Sequence, residues 1–308
     1  MINKTTDAAH AGRRLDQVAA ELFSEYSRAR LQTWIKDGHL LVNGKTAKAK
    51  DKLAGAEILS LDAVLIDETD WVAAPVDFSC IYEDEELLVI DKPMGLVVHP
   101  AAGHHQDTLV NGLLYRFPEL KQLPRAGIVH RIDKDTTGLL VVAKTLTAHH
   151  SLVKQLQDKT VCREYDAIAL GELMGGATID LPIARHPHQR LKMAVVNSGK
   201  MAVTHYRIKE RFSGYTRVAV QLETGRTHQI RVHFAQMNHP LLGDPLYGGR
   251  TKWPKGLTEE QRKFIAEFPR QALHATRLGL VHPVTQEYRE WHSPLPQDME
   301  QLLVVLRE

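Results

Sequence analysis

The sequence predicts an α+β fold: a small helix–hairpin unit, then a larger domain on a mixed, largely antiparallel sheet. Two observations carry this. Strand-like apolar runs recur at residues 87–90, 139–143, 161–170, 216–222 and 275–281, parted mostly by loops, with helical patterns at 147–159 and 227–237. Strands joined by loops and occasional helices belong to the α+β class. Residues 13–61 read differently, with helical spacing and one tight-turn dipeptide. The expected division is a small unit at 1–64, an acidic linker at 65–78 and a large domain at 79–308.

In the first unit, Leu15, Val18, Ala19 and Leu22 recur at helical spacing. A second helix is expected around Leu31, Trp34 and Ile35, with Ser27 as its N-cap and Gly38 at its end. Asn43-Gly44 is a strong hairpin-turn signal. Arg28, Arg30 and Lys36 lie on the polar face of the second helix, and Lys45, Lys48, Lys50 and Lys52 follow the turn. Two helices, a hairpin and two sets of cations resemble the S4 RNA-binding module, and the cations suit phosphates.

Charge is unevenly placed. The net charge is +2, yet residues 65–89 hold eight acids and no Lys or Arg, while 185–250 hold eleven Lys or Arg against Glu210, Glu223 and Asp244. A polyanion would meet the basic segment, not the average. No run of about 18 apolar residues suggests a membrane span. The start lacks the apolar stretch of a secretory signal, and two cysteines make no disulfide framework, so a cytoplasmic setting is expected. The 17 histidines show no metal-ligand spacing, although His228 and His233 lie five apart, and no metal site is expected.

The richest segment is His130-Arg131-Ile132-Asp133-Lys134-Asp135-Thr136-Thr137-Gly138, a polar loop feeding an apolar strand. A carboxylate among cations stays ionised and can act as nucleophile or base. Read alone, the same residues suit a structural ion-pair loop better than an active site. Three further stretches stand in order around it: Asp91-Lys92-Pro93-Met94-Gly95, Arg163-Glu164-Tyr165-Asp166-Ala167, and Gly225-Arg226-Thr227-His228-Gln229-Ile230-Arg231-Val232-His233, followed by Gly243-Asp244-Pro245-Leu246-Tyr247-Gly248. Together they resemble the motifs of the RluA family of pseudouridine synthases, with Ile132 where Leu is usual.

The resemblance implies a catalytic domain of pseudouridine synthase type and makes Asp133 its essential carboxylate. It puts Tyr165 in the active site, on a strand face shared with Arg163 and Ala167. It implies that Arg231 pairs with Asp133 from the first turn of a helix capped by Thr227, with Ile230 and Phe234 toward the core. His130 and Arg131 would fix the flipped strand or the loop, and Arg226 would contact phosphate. The reaction is an isomerisation without redox change or net hydrolysis, so no cofactor is expected. Within the family the match lies nearest to the large-subunit rRNA enzymes, implying 23S rRNA or the large ribosomal subunit as partner, the loop of helix 69 as target, and no DNA. Two rival readings are a non-catalytic RNA-binding ribosome assembly factor, and the same chemistry on another rRNA site or a tRNA.

Overall fold

The computed structural model describes residues 2–23, 26, 28–62, 71–100, 104, 106–249, 253–254 and 256–308, with the backbone alone for Ala29 and Arg30. Two compact units result, Met1–Thr69 and Asp70–Glu308.

The first unit contains β1 (Ile2–Thr5), α1 (Leu15–Leu22), α2 (Arg28–Asp37), β2 (Leu40–Val42) and β3 (Ile58–Leu61). The strands pair antiparallel in the order β1-β3-β2. Leu15, Val18 and Ala19 of α1 pack with Leu31, Trp34 and Ile35 of α2 and with Leu40, Leu59 and Leu61 of the sheet. Gly38, with φ +81°, follows the last residue of α2. Asn43 and Gly44 both have positive φ and Val42 and Lys45 exchange backbone hydrogen bonds, as in a type I′ turn. The expected hairpin goes no further. Asn43 donates its N–H to the Ile58 carbonyl, and its Oδ1 accepts from Ile58 N–H, so β2 takes β3 as its partner. Ser27 and the Arg30 side chain lie outside the described residues.

In the second unit come β4 (Ser79–Glu83), β5 (Leu87–Lys92), α3 (Leu109–Arg116), β6 (Thr137–Ala143), α4 (Leu146–Gln157) and β7 (Cys162–Leu170). Then follow β8 (Ala177–Asp180), β9 (Ile183–Arg185), β10 (Met193–Val195), β11 (Val203–Phe212), β12 (Tyr215–Leu222) and α5 (Gln229–Gln236). Last are α6 (Glu259–Ala266), β13 (Leu273–Val281), β14 (Tyr288–His292) and α7 (Gln297–Arg307). Among the described residues, nine strands form one sheet in the order β4-β5-β6-β13-β7-β12-β11-β8, with β14 along the far part of β13. Its pairings are antiparallel apart from β6 with β13. Strands β9 and β10 form a separate ribbon.

Period-two alternation divides the strands between two covered faces. Leu88, Ile90, Leu140 and Val142 pack under α3, while their neighbours Leu87, Val89, Leu139 and Val141 pack with Ala148 and Leu152 of α4. Every residue of β6 is buried. Tyr165, Ala167, Val218 and Val220 pack with Ile230 and Phe234 of α5, whereas Ile168 and Tyr215 pack with Met299, Leu302 and Leu306 of α7.

The expected linker needs correction. Residues 65–70 lie outside the described residues, but 71–78 run as a strap over the second unit. Val76 and Phe78 pack against the core under α3, and Asn111 Nδ2 donates to the Val72 carbonyl at 2.7 Å. The apolar residues between the acidic ones decide the packing. The same strap explains Gly112 within α3, where a Cβ would stand 2.7 Å from the Val76 carbonyl oxygen.

Candidate active site

Asp133 sits in the loop before β6, held mainly by donors to its backbone. Lys92, fully buried at the end of β5, donates Nζ hydrogens to the carbonyls of Pro93, Leu96 and Lys134 at 2.8, 2.9 and 2.8 Å. Burial pushes its ammonium down to about 7, against the pull of Asp135 and Asp133. Arg270 donates to the Asp135 carbonyl, and Gln271 Nε2 to Thr136 Oγ1. Beyond the loop, Thr137 Oγ1 meets His274 Nδ1 at 2.8 Å. Four charged or polar side chains thus fix the loop from two distant parts of the chain, and a reacting group held this way keeps its aim.

Arg231 lies in the first turn of α5, as expected. The cap residue is His228, not Thr227. From there Arg231 Nη1 donates to Asp133 Oδ2 at 2.8 Å, while Nε and Nη2 bind both oxygens of Asp244 at 2.7 and 2.9 Å. Burial opposes the charge on Arg231, but Asp244 and Asp133 outweigh it and drive its pKa up. Asp244 is sealed and also accepts the backbone N–H groups of Leu246 and Tyr247. Asp133 keeps 16% of its side chain exposed. One guanidinium therefore serves two carboxylates, one saturated and one partly exposed, with an Oδ1 that accepts no hydrogen bond among the described residues.

Tyr165 is buried on β7 on the face it shares with Arg163 and Ala167. It packs in the same cluster as Ile132, next to Asp133 in the chain, and Ile230 of α5. Burial raises its phenol pKa and the Asp133 charge adds to this, opposed by Arg163. Among the described residues its hydroxyl makes no hydrogen bond.

The other expected residues separate into two kinds. His130 Nε2 accepts the Val141 N–H at 3.0 Å, so the ring braces the loop against β6. Burial, helped by Arg163, pushes it down to about 3, leaving it neutral. Arg131 and Arg226 are exposed, and Arg226 donates to the Met201 carbonyl at 3.0 Å. His228 and His233 do not share a site: His233 turns into the core toward Thr204 Oγ1 and the Leu181 carbonyl. Lys92, Asp244 and Tyr247 are neighbours of the candidate site that sequence reasoning does not single out. All three stand inside quoted motifs, but their roles depend on pairings across the fold.

The basic segment is less basic than its count. Arg207 pairs with Glu164, and Lys209 and Arg217 with Asp166, acids that lie outside the segment. Arg185, Arg190, Lys192, Lys200, Arg211 and Arg226 are its cations without an acidic partner among the described residues, Arg211 donating instead to the Leu173 and Met174 carbonyls, and Arg250 lies outside them.

Comparison with known proteins gives the family. The sequence pattern of RNA pseudouridylate synthases matches residues 86–236, and that of the S4 domain matches 13–58. The chain is 54% identical over 297 residues to the ribosomal large subunit pseudouridine synthase D of Pseudomonas aeruginosa, covering 96% of this chain and 93% of that one. The chain belongs to the RluA family of pseudouridine synthases. The enzyme of the same name from Escherichia coli K12 is 50% identical over 307 residues, covering 99% of this chain and 94% of its own. Among solved structures, the human RNA pseudouridylate synthase domain containing 4 superposes with a TM-score of 0.59 at 27% identity, over 74% of this chain and 93% of its own. Membership makes this pseudouridine synthase an isomerase, with an S4 domain ahead of its catalytic fold.

Proposed function

We propose that the chain isomerises uridines to pseudouridine in 23S ribosomal RNA, in the loop of helix 69, with Asp133 as the essential carboxylate. The observation that carries the catalytic part is the Asp133–Arg231–Asp244 arrangement, in which Asp244 saturates two arms of Arg231 and leaves Asp133 a rigid counter-charge and a free edge. The rRNA target follows the names of the relatives, together with the S4 match.

The reaction breaks the bond from C1′ to N1, turns the uracil and joins C5 to C1′. The proton on C5 leaves and N1 gains one, so the sum is an isomerisation. The base must leave its stack to turn, which costs a few kcal/mol. Three first steps use an ionised carboxylate here: attack on C1′, addition to the base, or removal of a sugar proton. All three require it to be held still at the edge of a pocket. Tyr165 offers a ring for the flipped uracil and a hydroxyl near the exchanging C5 proton. His130 and Arg131 hold the loop and the displaced strand, Arg226 meets phosphate, and Arg231 aims Asp133. The exposed lysines at 36, 45, 48, 50 and 52 give the S4 unit its hold on RNA. The protein acts in the cytoplasm, with the large subunit or its RNA as partner.

Mapping pseudouridines in RNA from cells lacking this protein tests the target. Loss of modification in the helix 69 loop is expected, restored by the wild type and not by Asp133→Ala. A fully modified loop in those cells would refute the target, and rescue by Asp133→Ala would refute the catalytic residue.

A further inference from the structure

One histidine beside Asp133 has no task in this scheme. His228 precedes α5 with φ 56°, in the left-handed region that side chains other than glycine's adopt sparingly. Its carbonyl accepts from Val232 N–H at 2.9 Å and starts the helix. A residue at this position commonly uses its side chain to cap the free helix N–H groups. His228 forgoes that bond. Its Nδ1 lies instead 2.8 Å from the Tyr247 hydroxyl.

The hydrogen count around Tyr247 then fixes the ring. The Tyr247 oxygen accepts the Met193 backbone N–H at 2.9 Å. The phenol's own hydrogen needs an acceptor, and among the described residues His228 Nδ1 is the one in reach. With Nδ1 accepting, the neutral ring carries its hydrogen on Nε2. Burial holds the ring below the usual histidine range, against the pull of Asp133. Nε2 stands 4.0 Å from Asp133 Oδ1, beyond hydrogen-bond length. A donor therefore faces the free edge of the carboxylate with nothing yet to donate to, and strained backbone holds it there. The Tyr247 ring that orients it also lies 5.1 Å from the guanidinium carbon of Arg231.

We propose that His228 contacts the substrate: its Nε2–H donates to an oxygen of the flipped uridine lodged beside Asp133. The inference rests on the assignment of Asp133 above. It adds a hydrogen-bond donor opposite Arg231, so that the nucleoside is gripped on the side where the carboxylate is open.

The test is single-turnover isomerisation of a helix 69 stem–loop by the full-length protein, with RNA affinity and melting temperature measured alongside. His228→Ala should slow the step about 10- to 100-fold with affinity within about 3-fold, as for a lost bond to the reacting group. His228→Gln places an amide N–H where Nε2 stands and should stay within about 5-fold of wild type, whereas His228→Asn places it at Nδ1 and should fall with alanine. A left-handed backbone favours Asn over Gln, so a purely structural role ranks the two variants in the opposite order. Asn equal to or better than Gln, or alanine within about 2-fold of wild type, would overturn the proposal. Tyr247→Phe leaves the His228 backbone alone, though it takes the acceptor from Met193 N–H, frees the ring to hold its proton on Nδ1, and should slow the step about 3- to 10-fold; no change would refute the hydrogen count. Asp133→Ala runs in parallel. If it stays active, both the site and this inference fail; if it is dead while His228→Ala is normal, this inference alone fails.

Discussion

Each unit of this protein buries a cluster of arginine and carboxylate, Asp16 with its arginines in the first and Arg231 with its acids in the second, and these two clusters are mirror images in charge. In the first unit Asp16 is fully buried and accepts from Arg14, Arg28 and Gln32 at 3.0, 2.7 and 2.6 Å. One acid meets two arginines, each about half exposed. In the second unit one buried arginine, Arg231, meets two acids. The first cluster leaves a positive surplus at the surface, suited to a polyanion; the second leaves a negative surplus on the partly exposed Asp133, suited to chemistry. Arg28, read from the sequence as a free phosphate contact, is partly committed to Asp16. Which partner is in excess, not the presence of an ion pair, separates a binding surface from a reactive one.

Removing the surplus acid should have the largest effect. Asp133→Ala should lower single-turnover isomerisation by at least about 10³-fold while RNA affinity holds within about 3-fold. Equal losses of rate and affinity would mean that Asp133 only binds. Next in size is the shared guanidinium. Arg231→Met strands Asp244 as a buried charge without a partner and should cost about 3–5 kcal/mol in denaturant unfolding. Adding Asp244→Leu should return part of that stability and none of the activity. Recovery of both would show that Arg231 serves packing alone.

The mirror cluster should respond more weakly, because solvent reaches its arginines. Asp16→Asn is expected to cost the first unit about 1–2 kcal/mol, read from amide exchange in α1 and α2. Burial pushes the Asp16 carboxyl up, yet the bonds from Arg14, Arg28 and Gln32 outweigh it and hold the group well below its usual range. A depressed carboxylate stabilises the fold above its unfolded value, near about pH 4, and this is lost as acid drives the pH down through the folded value. The first unit of the wild type should therefore loosen in acid, and the Asn variant should lose this part of its pH dependence. The smallest effect on rate belongs to Lys45, Lys48, Lys50 and Lys52. Changing all four to Gln should leave the rate at saturating RNA unchanged and flatten the salt dependence of binding by about 0.7 for each phosphate no longer neutralised. An unaltered salt slope would remove these lysines from the RNA surface.

Helix phase made part of the site legible from sequence. Ile230 and Phe234 both had to face the core, and that places Arg231 in the first turn, aimed from a rigid element. Alternation on β7 likewise put Tyr165 with Arg163 and Ala167. What stayed hidden depends on partners far along the chain. Nothing near Lys92 in sequence says that its ammonium will reach the Lys134 carbonyl, and nothing near Lys209 says that Asp166 will neutralise it. The cap of α5 falls one residue later than composition suggests. Thr227 is the better capping side chain by composition, but the helix begins after His228, whose ring turns to Tyr247 instead of capping it.

The one parallel pairing of the sheet has a consequence for how the protein is made. Strand β13 enters between β6 and β7, so tightly that a Cβ on Gly138 would stand 2.2 Å from the Ala275 carbonyl oxygen. A ribosome delivers the chain from residue 1 onward, and Asp133 emerges long before Arg231, Arg270, Gln271 and His274. Until β13 inserts, β6 and β7 are raw edges of two separate half-sheets. Closing the sheet and bracing the Asp133 loop thus both wait for the same late part of the chain. An unfinished chain can carry its RNA-binding unit on the nascent polypeptide, but it holds no working catalytic centre.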